Sequence, residues 1–341
     1  MKKAFIEFQG KNKLLFAFSL FLTWWVLQAQ GTFVLDSAVY KEIYSTMSVL
    51  AHDSLRGREG GTIYEQKAAS YLIGRLQMMG IPPLPGTDNY LQCFYLDSNN
   101  KVVSCNVLAY IDHQAPYTVV IGGHYDHIGF TQKDSILIIN NGADDNASGA
   151  TLVLTLAKTI KEKNLNRYNY VFAFWGSEEK GLIGSSYFCR SNIYPFSKIA
   201  FYLNFDMVGS LNWDNSKTII VFGTGTSTYW DSLALDTVRF GNERFRFKKF
   251  KAAVDVSDHA CFYKRGVPFL YFTTGLPPRY HTQKDKLSYI NFDGMAYLHD
   301  FVFSLLQQMD GHKLKYKVCS EDDLLKVYFY FFKEMLKKSK E

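Results

Sequence analysis

Tyr170-Val-Phe-Ala-Phe174-Trp-Gly-Ser-Glu178-Glu179-Lys-Gly181-Leu182-Ile-Gly-Ser-Ser186 is the stretch on which the fold turns. Its apolar run, Tyr170–Phe174, reads as a buried strand. A polar, glycine-containing turn follows, and a helix is predicted from Leu182 to Ser191. A buried strand that turns straight into a helix is the building unit of an α/β sheet. Glu178 and Glu179 stand side by side where the strand ends. Neighbouring side chains on extended backbone point in opposite directions, so the two carboxylates are not expected to do the same job. One can hold a metal while the other faces a substrate. Taken alone, a Glu-Glu pair is ordinarily a solvated loop; the rest of the chain changes that reading.

Strands and helices interleave on both sides of this unit. Strands are predicted at Val102–Ile111, Tyr117–Gly122, Ile136–Ile139, Ile199–Phe205, Thr218–Phe222, Arg246–Lys249 and Pro268–Phe272. Helices are predicted at residues 36–60, where a helix runs into the loop Leu55–Gly61, and from Thr62 to Gly80. Others are expected at Ala147–Lys163, near Thr228–Arg239, from Ser257–Asp258 onward, and at Asn291–Met309. Thr62-x-x-Glu65 has the form of a capping box, and Tyr64, Ala68, Tyr71, Leu72, Leu76 and Met79 fall on one helical face. No internal repeat or linker divides the chain. The expectation is one α/β domain over 30–312, a mixed, mostly parallel twisted sheet with helices on both faces. In such sheets, sites form beyond the carboxyl ends of the strands.

The chain has 341 residues, 47% apolar and 21% charged, ordinary for a globular protein and wrong for disorder. Residues 1–29 read as a secretory signal: Lys2, Lys3, Lys11 and Lys13 precede the apolar run Leu14–Leu27, and Leu27-Gln-Ala29 resembles a cleavage site. That run is short for a membrane span, so export to the periplasm or outside the cell is expected, without stable membrane insertion. Loss of residues 1–29 removes four lysines and Glu7 and lowers the formal charge from +6 to +3, too little to argue for nucleic acid. Cys93, Cys105, Cys189, Cys261 and Cys319 include no C-x-x-C pair. A Cys93–Cys105 disulfide between adjacent strands is conceivable, and the odd count leaves at least one thiol outside intrachain disulfides. Any metal must therefore be held by histidines and carboxylates. The tail 313–341, with Val327-Tyr-Phe-Tyr-Phe-Phe332, reads as a helical extension.

Every candidate ligand sits at a strand end. Gly123-His124-Tyr-Asp126-His127 follows one strand; His124 offers an imidazole, Asp126 can accept its second ring N–H, and His127 reads as a bystander. Asn141-Gly-Ala-Asp144-Asp145-Asn146-Ala-Ser-Gly149 precedes a helix. Its acidic pair fits helix capping as well as metal binding. Asp206 ends another strand, and His281 lies in Pro278-Arg-Tyr280-His281-Thr-Gln-Lys-Asp285. Taken together, His124, Asp145, Glu179, Asp206 and His281 supply two imidazoles and three carboxylates. With a bridging hydroxide they balance the charge of two Zn²⁺, and a shared carboxylate offsets the ions' repulsion. Imidazole plus oxygen ligation suits zinc.

The motifs Gly123-His124-Tyr125-Asp126, Gly142–Gly149, Glu178-Glu179-x-Gly181-Leu182-x-Gly184-Ser185, Phe205-Asp206-Met207 and Tyr280-His281-Thr282 resemble those of the co-catalytic di-zinc exopeptidase family. That family includes bacterial leucyl aminopeptidase, aminopeptidase S and glutaminyl cyclase, and the resemblance covers about residues 40–310. It implies that His124 and Asp206 hold one zinc, Glu179 and His281 the other, and Asp145 bridges them. It further implies Glu178 as general base and Asp126 as the residue orienting His124. The activity implied is that of an aminopeptidase acting through a zinc-bound hydroxide. The acidic residues Asp145, Glu179 and Asp206 favour a protonated α-amine, so peptides with a free N-terminus are expected and, given the aromatic residues on the segments leading to His281, apolar first residues. Ser257-Asp258-His259 matches a further family segment and reads as structural support. Alternatives are a single-zinc glutaminyl cyclase, a non-catalytic binding domain of the same fold, and a carboxypeptidase using Arg279. Against the cyclase, Tyr280 stands where cyclases carry tryptophan, and their acidic pair tends not to read Glu-Glu-x-Gly-Leu. Phe262, Tyr263, Phe272 and Tyr280 could line a pocket for the first side chain or belong to the core.

Overall fold

A computed structural model describes residues 37–338, other than 100, 212, 233–236 and 241–242. The signal-like segment 1–29 lies outside the described residues. Nine strands form one sheet: β1 (Leu91–Tyr95), β2 (Val103–Ile111), β3 (Thr118–His124), β6 (Asn169–Trp175), β7 (Ile199–Phe205), β8 (Thr218–Phe222), β9 (Thr237–Phe240), β10 (Glu243–Phe250) and β11 (Phe269–Thr273). Their order is β1-β2-β6-β3-β7-β11-β8-β10-β9. The central four, β6-β3-β7-β11, are parallel. Antiparallel ladders flank them, β1 on β2 and β2 on β6 at one side, β11 on β8 and β10 on β9 at the other. The short hairpin β4 (Phe130–Lys133) and β5 (Ile136–Ile139) stands apart from this sheet.

The central strands are buried on both faces, as β3, β6, β7 and β11 show by having every residue buried. Alternation then sorts their side chains. Tyr170, Phe172 and Phe174 of β6 pack on one face with helices α1 (Ser37–Leu50), α2 (Ile63–Met78), α3 (Gly149–Glu162) and α7 (Phe292–Gln308). Val171, Ala173 and Trp175 pack on the other with α4 (Ile183–Ser191), α6 (His259–Lys264) and Val327 of α8 (Glu321–Lys338). No helix among the described residues is long and apolar enough to cross a membrane.

The predicted elements recur with small shifts, with one clear correction. Of the helix expected near Thr228–Arg239, the described residues form α5 (Thr228–Ser232), and Thr237–Phe240 is instead the edge strand β9. Thr237-Val-Arg-Phe240 pairs antiparallel with β10; an available strand partner overrides a weak helical pattern. Strands β1 and β4 were not foreseen. The capping box is also redistributed. Thr62 Oγ1 caps α2 by accepting from the backbone N–H groups of Tyr64 and Glu65, at 3.3 and 3.4 Å. Glu65, however, accepts from the N–H of Gly61 (2.6 Å) and from Ser104 Oγ (2.6 Å). The Thr62 N–H bonds to Glu59 O instead.

Cys93 and Cys105 face each other in the β1–β2 register and are disulfide-bonded. A second disulfide, Cys189–Cys261, ties α4 to α6. Cys319 belongs to neither; its Sγ lies 3.1 Å from Lys251 O.

Candidate metal centre

Three strand ends and two loops converge on one point beyond the parallel centre of the sheet. His124 is the last residue of β3 and is buried. Its Nε2 lies 3.3 Å from Asp206 Oδ1, 3.4 Å from Asp145 Oδ1 and 3.9 Å from Glu178 Oε2. Asp206 follows β7 directly, and its N–H donates to Phe272 O on the adjoining β11. On the other side of Asp145, Oδ2 lies 3.0 Å from His281 Nε2, which is also 3.0 Å from Glu179 Oε2. All five residues proposed as ligands from sequence therefore come together. The two oxygens of Asp145 face two separate donor groups.

His127, read from sequence as a bystander, stands inside the second group. Its Nδ1 is 2.9 Å from Glu179 Oε1 and 3.7 Å from Asp145 Oδ2. Ligand atoms of His127, Asp145, Glu179 and His281 all lie within 4.8 Å of one another, as do those of His124, Glu178 and Asp206. The only sequence signal was its place three residues after His124, because it needs a turn whose course the sequence does not reveal.

Local backbone explains the placement. Asn146 accepts from the N–H groups of Gly149 (2.8 Å) and Met207 (3.2 Å) and donates to Phe205 O (2.9 Å). It thus fastens the Asp145 loop to the end of β7. Asp285 accepts from the backbone N–H groups of Asp144 and Asp145, at 2.9 and 3.0 Å, and fixes the loop from above. Asp144 turns away and accepts from Gly209 N–H at 2.7 Å, so the adjacent carboxylates have different partners. Asp126 accepts from the N–H groups of Glu178 (3.0 Å) and Glu179 (3.3 Å). Its Oδ1 stands 3.6 Å from His124 Nδ1, beyond a direct hydrogen bond. Asp126 therefore joins the ends of β3 and β6 as well as facing the histidine.

Arg58 was not foreseen as part of this assembly. Its fully buried guanidinium donates to the carbonyls of Tyr125 (2.8 Å), Leu50 (2.5 Å), Asn141 (2.6 Å) and Gly142 (2.9 Å). One side chain thereby ties the His124 and Asp145 loops together. Burial lowers its pKa to about 10, against the pull of Asp126 and Asp285. Asp258, behind the centre, is wholly buried, and burial pushes its carboxyl up to about 7. Its neighbours act as scaffold: Ser257 Oγ accepts from Asn204 Nδ2 at 2.8 Å, and His259 Nε2 meets Val254 O at 3.0 Å.

Electrostatics follow from the crowding. Burial disfavours charge on His281, yet the carboxylates of Asp145 and Glu179 push its pKa up to about 10. Burial also opposes ionisation of Asp145, but His124 and His281 hold it well below the usual carboxylate range. Glu178 is driven well above that range, chiefly by burial and, against the pull of His124, by the charges of Asp206, Asp258 and Glu179. Asp145 Oδ2 is buried and makes no aligned hydrogen bond, although His281 Nε2 is 3.0 Å away. An acceptor oxygen so placed leaves lone pairs open to a cation. The donor chemistry, imidazole nitrogen and carboxylate oxygen, fits zinc.

The aromatic pocket considered from sequence is largely absorbed by the core. Phe262 is fully buried and stacks on Tyr202 with ring centres 4.0 Å apart. Phe272 is buried against Phe205, and Tyr263 packs beside Phe269 and Tyr316. Only Tyr280 reaches the centre, stacked on His281 at 3.8 Å.

Residues 106–306 match the profile of Peptidase family M28. The probable leucine aminopeptidase 2 of Trichophyton verrucosum is 30% identical over 190 residues, 51% of this chain and 37% of that protein. The chain spans less than half the length of the first curated relatives it matches. The fold is also that of BSAP, a zinc aminopeptidase from Bacillus subtilis (TM-score 0.59, 17% identity, covering 81% and 98% of the two chains). Glutaminyl cyclase from Porphyromonas gingivalis shares it too (TM-score 0.62, 18% identity, covering 79% and 98%). With more than half of its length matched, including every strand end that contributes to the centre, the chain belongs to peptidase family M28.

Proposed function

We propose that the protein is an exported zinc aminopeptidase that releases apolar residues from the free N-terminus of peptides. The observation that carries this reading is the position of Asp145, whose two oxygens face separate donor groups. That arrangement is what a pair of ions sharing one carboxylate requires. His124 and Asp206 would hold one ion, Glu179 and His281 the other. Zinc, when bound, polarises a carbonyl and acidifies water.

The remaining chemistry belongs to the chain. Glu178 is positioned as the general base, because the N–H groups of residues 178 and 179 are pinned by Asp126 while its carboxylate faces His124 and Asp206. A carboxylate so placed is within reach to accept a proton at the centre and return it to the leaving amine. Asp126 orients His124, whose Nδ1 lies 3.3 Å from the Asp126 backbone carbonyl and 3.6 Å from its carboxylate. The carboxylates around the centre favour a protonated α-amine, since opposite charges attract strongly where water is excluded. The preference for apolar first residues draws on the relative named as a leucine aminopeptidase. Export draws on the signal-like residues 1–29 and on two disulfides, which persist in oxidising compartments.

The test compares Glu178→Gln with Glu179→Gln on leucyl and N-acetyl-leucyl peptides, with metal content measured in parallel. Glu178→Gln should cut kcat by about 10²–10⁴ and keep its metal; Glu179→Gln should lose metal. Equal cleavage of acetylated and free peptides would overturn the aminopeptidase reading, and cyclisation of N-terminal glutamine without hydrolysis would replace it by the cyclase.

A further inference from the structure

We propose that His127 is itself a ligand of the ion held by Asp145, Glu179 and His281, giving that ion four protein donors. The ion on His124, Asp145 and Asp206 would then have three. The inference rests on the reading of the centre as a two-metal site and goes beyond the five ligands of that reading. Zinc bonds of about 2.0–2.1 Å in tetrahedral array put neighbouring donors about 3.3 Å apart. The contacts made here are His127 Nδ1 to Glu179 Oε1 at 2.9 Å and to Asp145 Oδ2 at 3.7 Å, and His281 Nε2 to Asp145 Oδ2 and Glu179 Oε2 at 3.0 Å each. They bracket that spacing.

The ring is also held in place. A Cβ on Gly142 would lie 2.5 Å from its carbon atoms, so the glycine is what lets the imidazole approach the Asp145 loop. Its backbone N–H donates to Arg58 O at 3.3 Å, and the Arg58 side chain clamps Tyr125 O and Gly142 O on either side. A histidine buried for structure alone spends its ring nitrogens on hydrogen bonds. His127 is fully buried and aims Nδ1 at two carboxylates, Glu179 and Asp145, that the two-metal reading gives to one ion.

Three protein donors leave room for water and substrate, whereas four close a tetrahedral site. The two positions would thus differ in kind: one closed, joining four segments of chain, the other open toward Glu178.

The full chain, stripped of metal and titrated with Co²⁺, gives the test. Proton NMR of the loaded wild type should show three hyperfine-shifted, exchangeable imidazole N–H signals, from His124, His281 and His127. In His127→Asn one signal should vanish, and one ion should bind at least about 10–100-fold more weakly, since even loss of a group that only supports a ligand costs that much. The asparagine amide can still donate to Glu179 but cannot replace the imidazole. Only two signals in the wild type, or wild-type affinity for both ions in His127→Asn, would make His127 a mere hydrogen-bond donor and overturn the proposal. Failure of the wild type to bind Co²⁺ at all would instead remove the two-metal reading beneath it. The wild-type signal count stands even if the variant does not fold.

Discussion

At the scale of single residues, Glu65 shows how a group outside the metal centre answers to it. Its carboxyl is buried, accepts from Gly61 N–H and Ser104 Oγ, and lies in the field of Asp126. Burial, with the Asp126 charge adding to it, pushes its pKa from 4.5 to about 8. The folded chain then binds more protons than the unfolded chain between those values, so stability falls as pH rises from about 4.5 through about 8. Glu65→Gln removes that proton linkage. Urea unfolding at pH 5 and pH 8.5 should show a smaller loss of stability across the interval in the variant than in the wild type. Parallel pH profiles in the two proteins would mean that Glu65 ionises normally.

At the scale of elements, the centre depends on how closely α3 approaches the end of β7. Gly149 opens α3, and a Cβ there would sit 2.2 Å from Phe205 O and 2.4 Å from Asn146 Oδ1. Because Asn146 also bonds to Met207 and Phe205, a shift of this junction moves Asp145 relative to Asp206. Gly149→Ala should cost about 1–3 kcal/mol, the usual range for overpacking, and lower the metal affinity more than any exposed α3 substitution. A thermal unfolding curve and a metal titration check both parts; wild-type affinity at reduced stability would separate the packing from the site. Element identity was largely legible because apolar runs mark buried strands. It failed at Thr237–Phe240, where an edge strand formed by pairing with β10. That choice depends on a neighbour, not on the segment.

Over the whole molecule, the two disulfides brace different lengths of chain. Cys93–Cys105 spans 12 residues within an already paired hairpin, whereas Cys189–Cys261 spans 72 and joins two helices on one face of the sheet. Chain entropy alone predicts about 3 kcal/mol for the shorter loop and about 4 kcal/mol for the longer. Replacing Cys189 and Cys261 by serine should therefore lower stability more than replacing Cys93 and Cys105, as read by urea denaturation. The reverse order would show that native packing around the β1–β2 hairpin, rather than loop length, sets the effect.

The sequence by itself determined the α/β class, the strand ends that carry chemistry, and the residue types gathered there. Those follow from local periodicity and from short motifs whose spacing is covalent. It also brought His124, Asp145, Glu179, Asp206 and His281 forward as one group, which the fold assembles. Tertiary structure decided what depends on packing between distant segments. It placed His127 among the donors, because the turn after β3 is clamped by Arg58 from another part of the chain. It sent Asp144 to Gly209 while its neighbour Asp145 faced the histidines. It also drew Phe262 and Phe272 into the core rather than into a substrate pocket, since burial of a ring is settled by what packs over it and not by its place in the sequence.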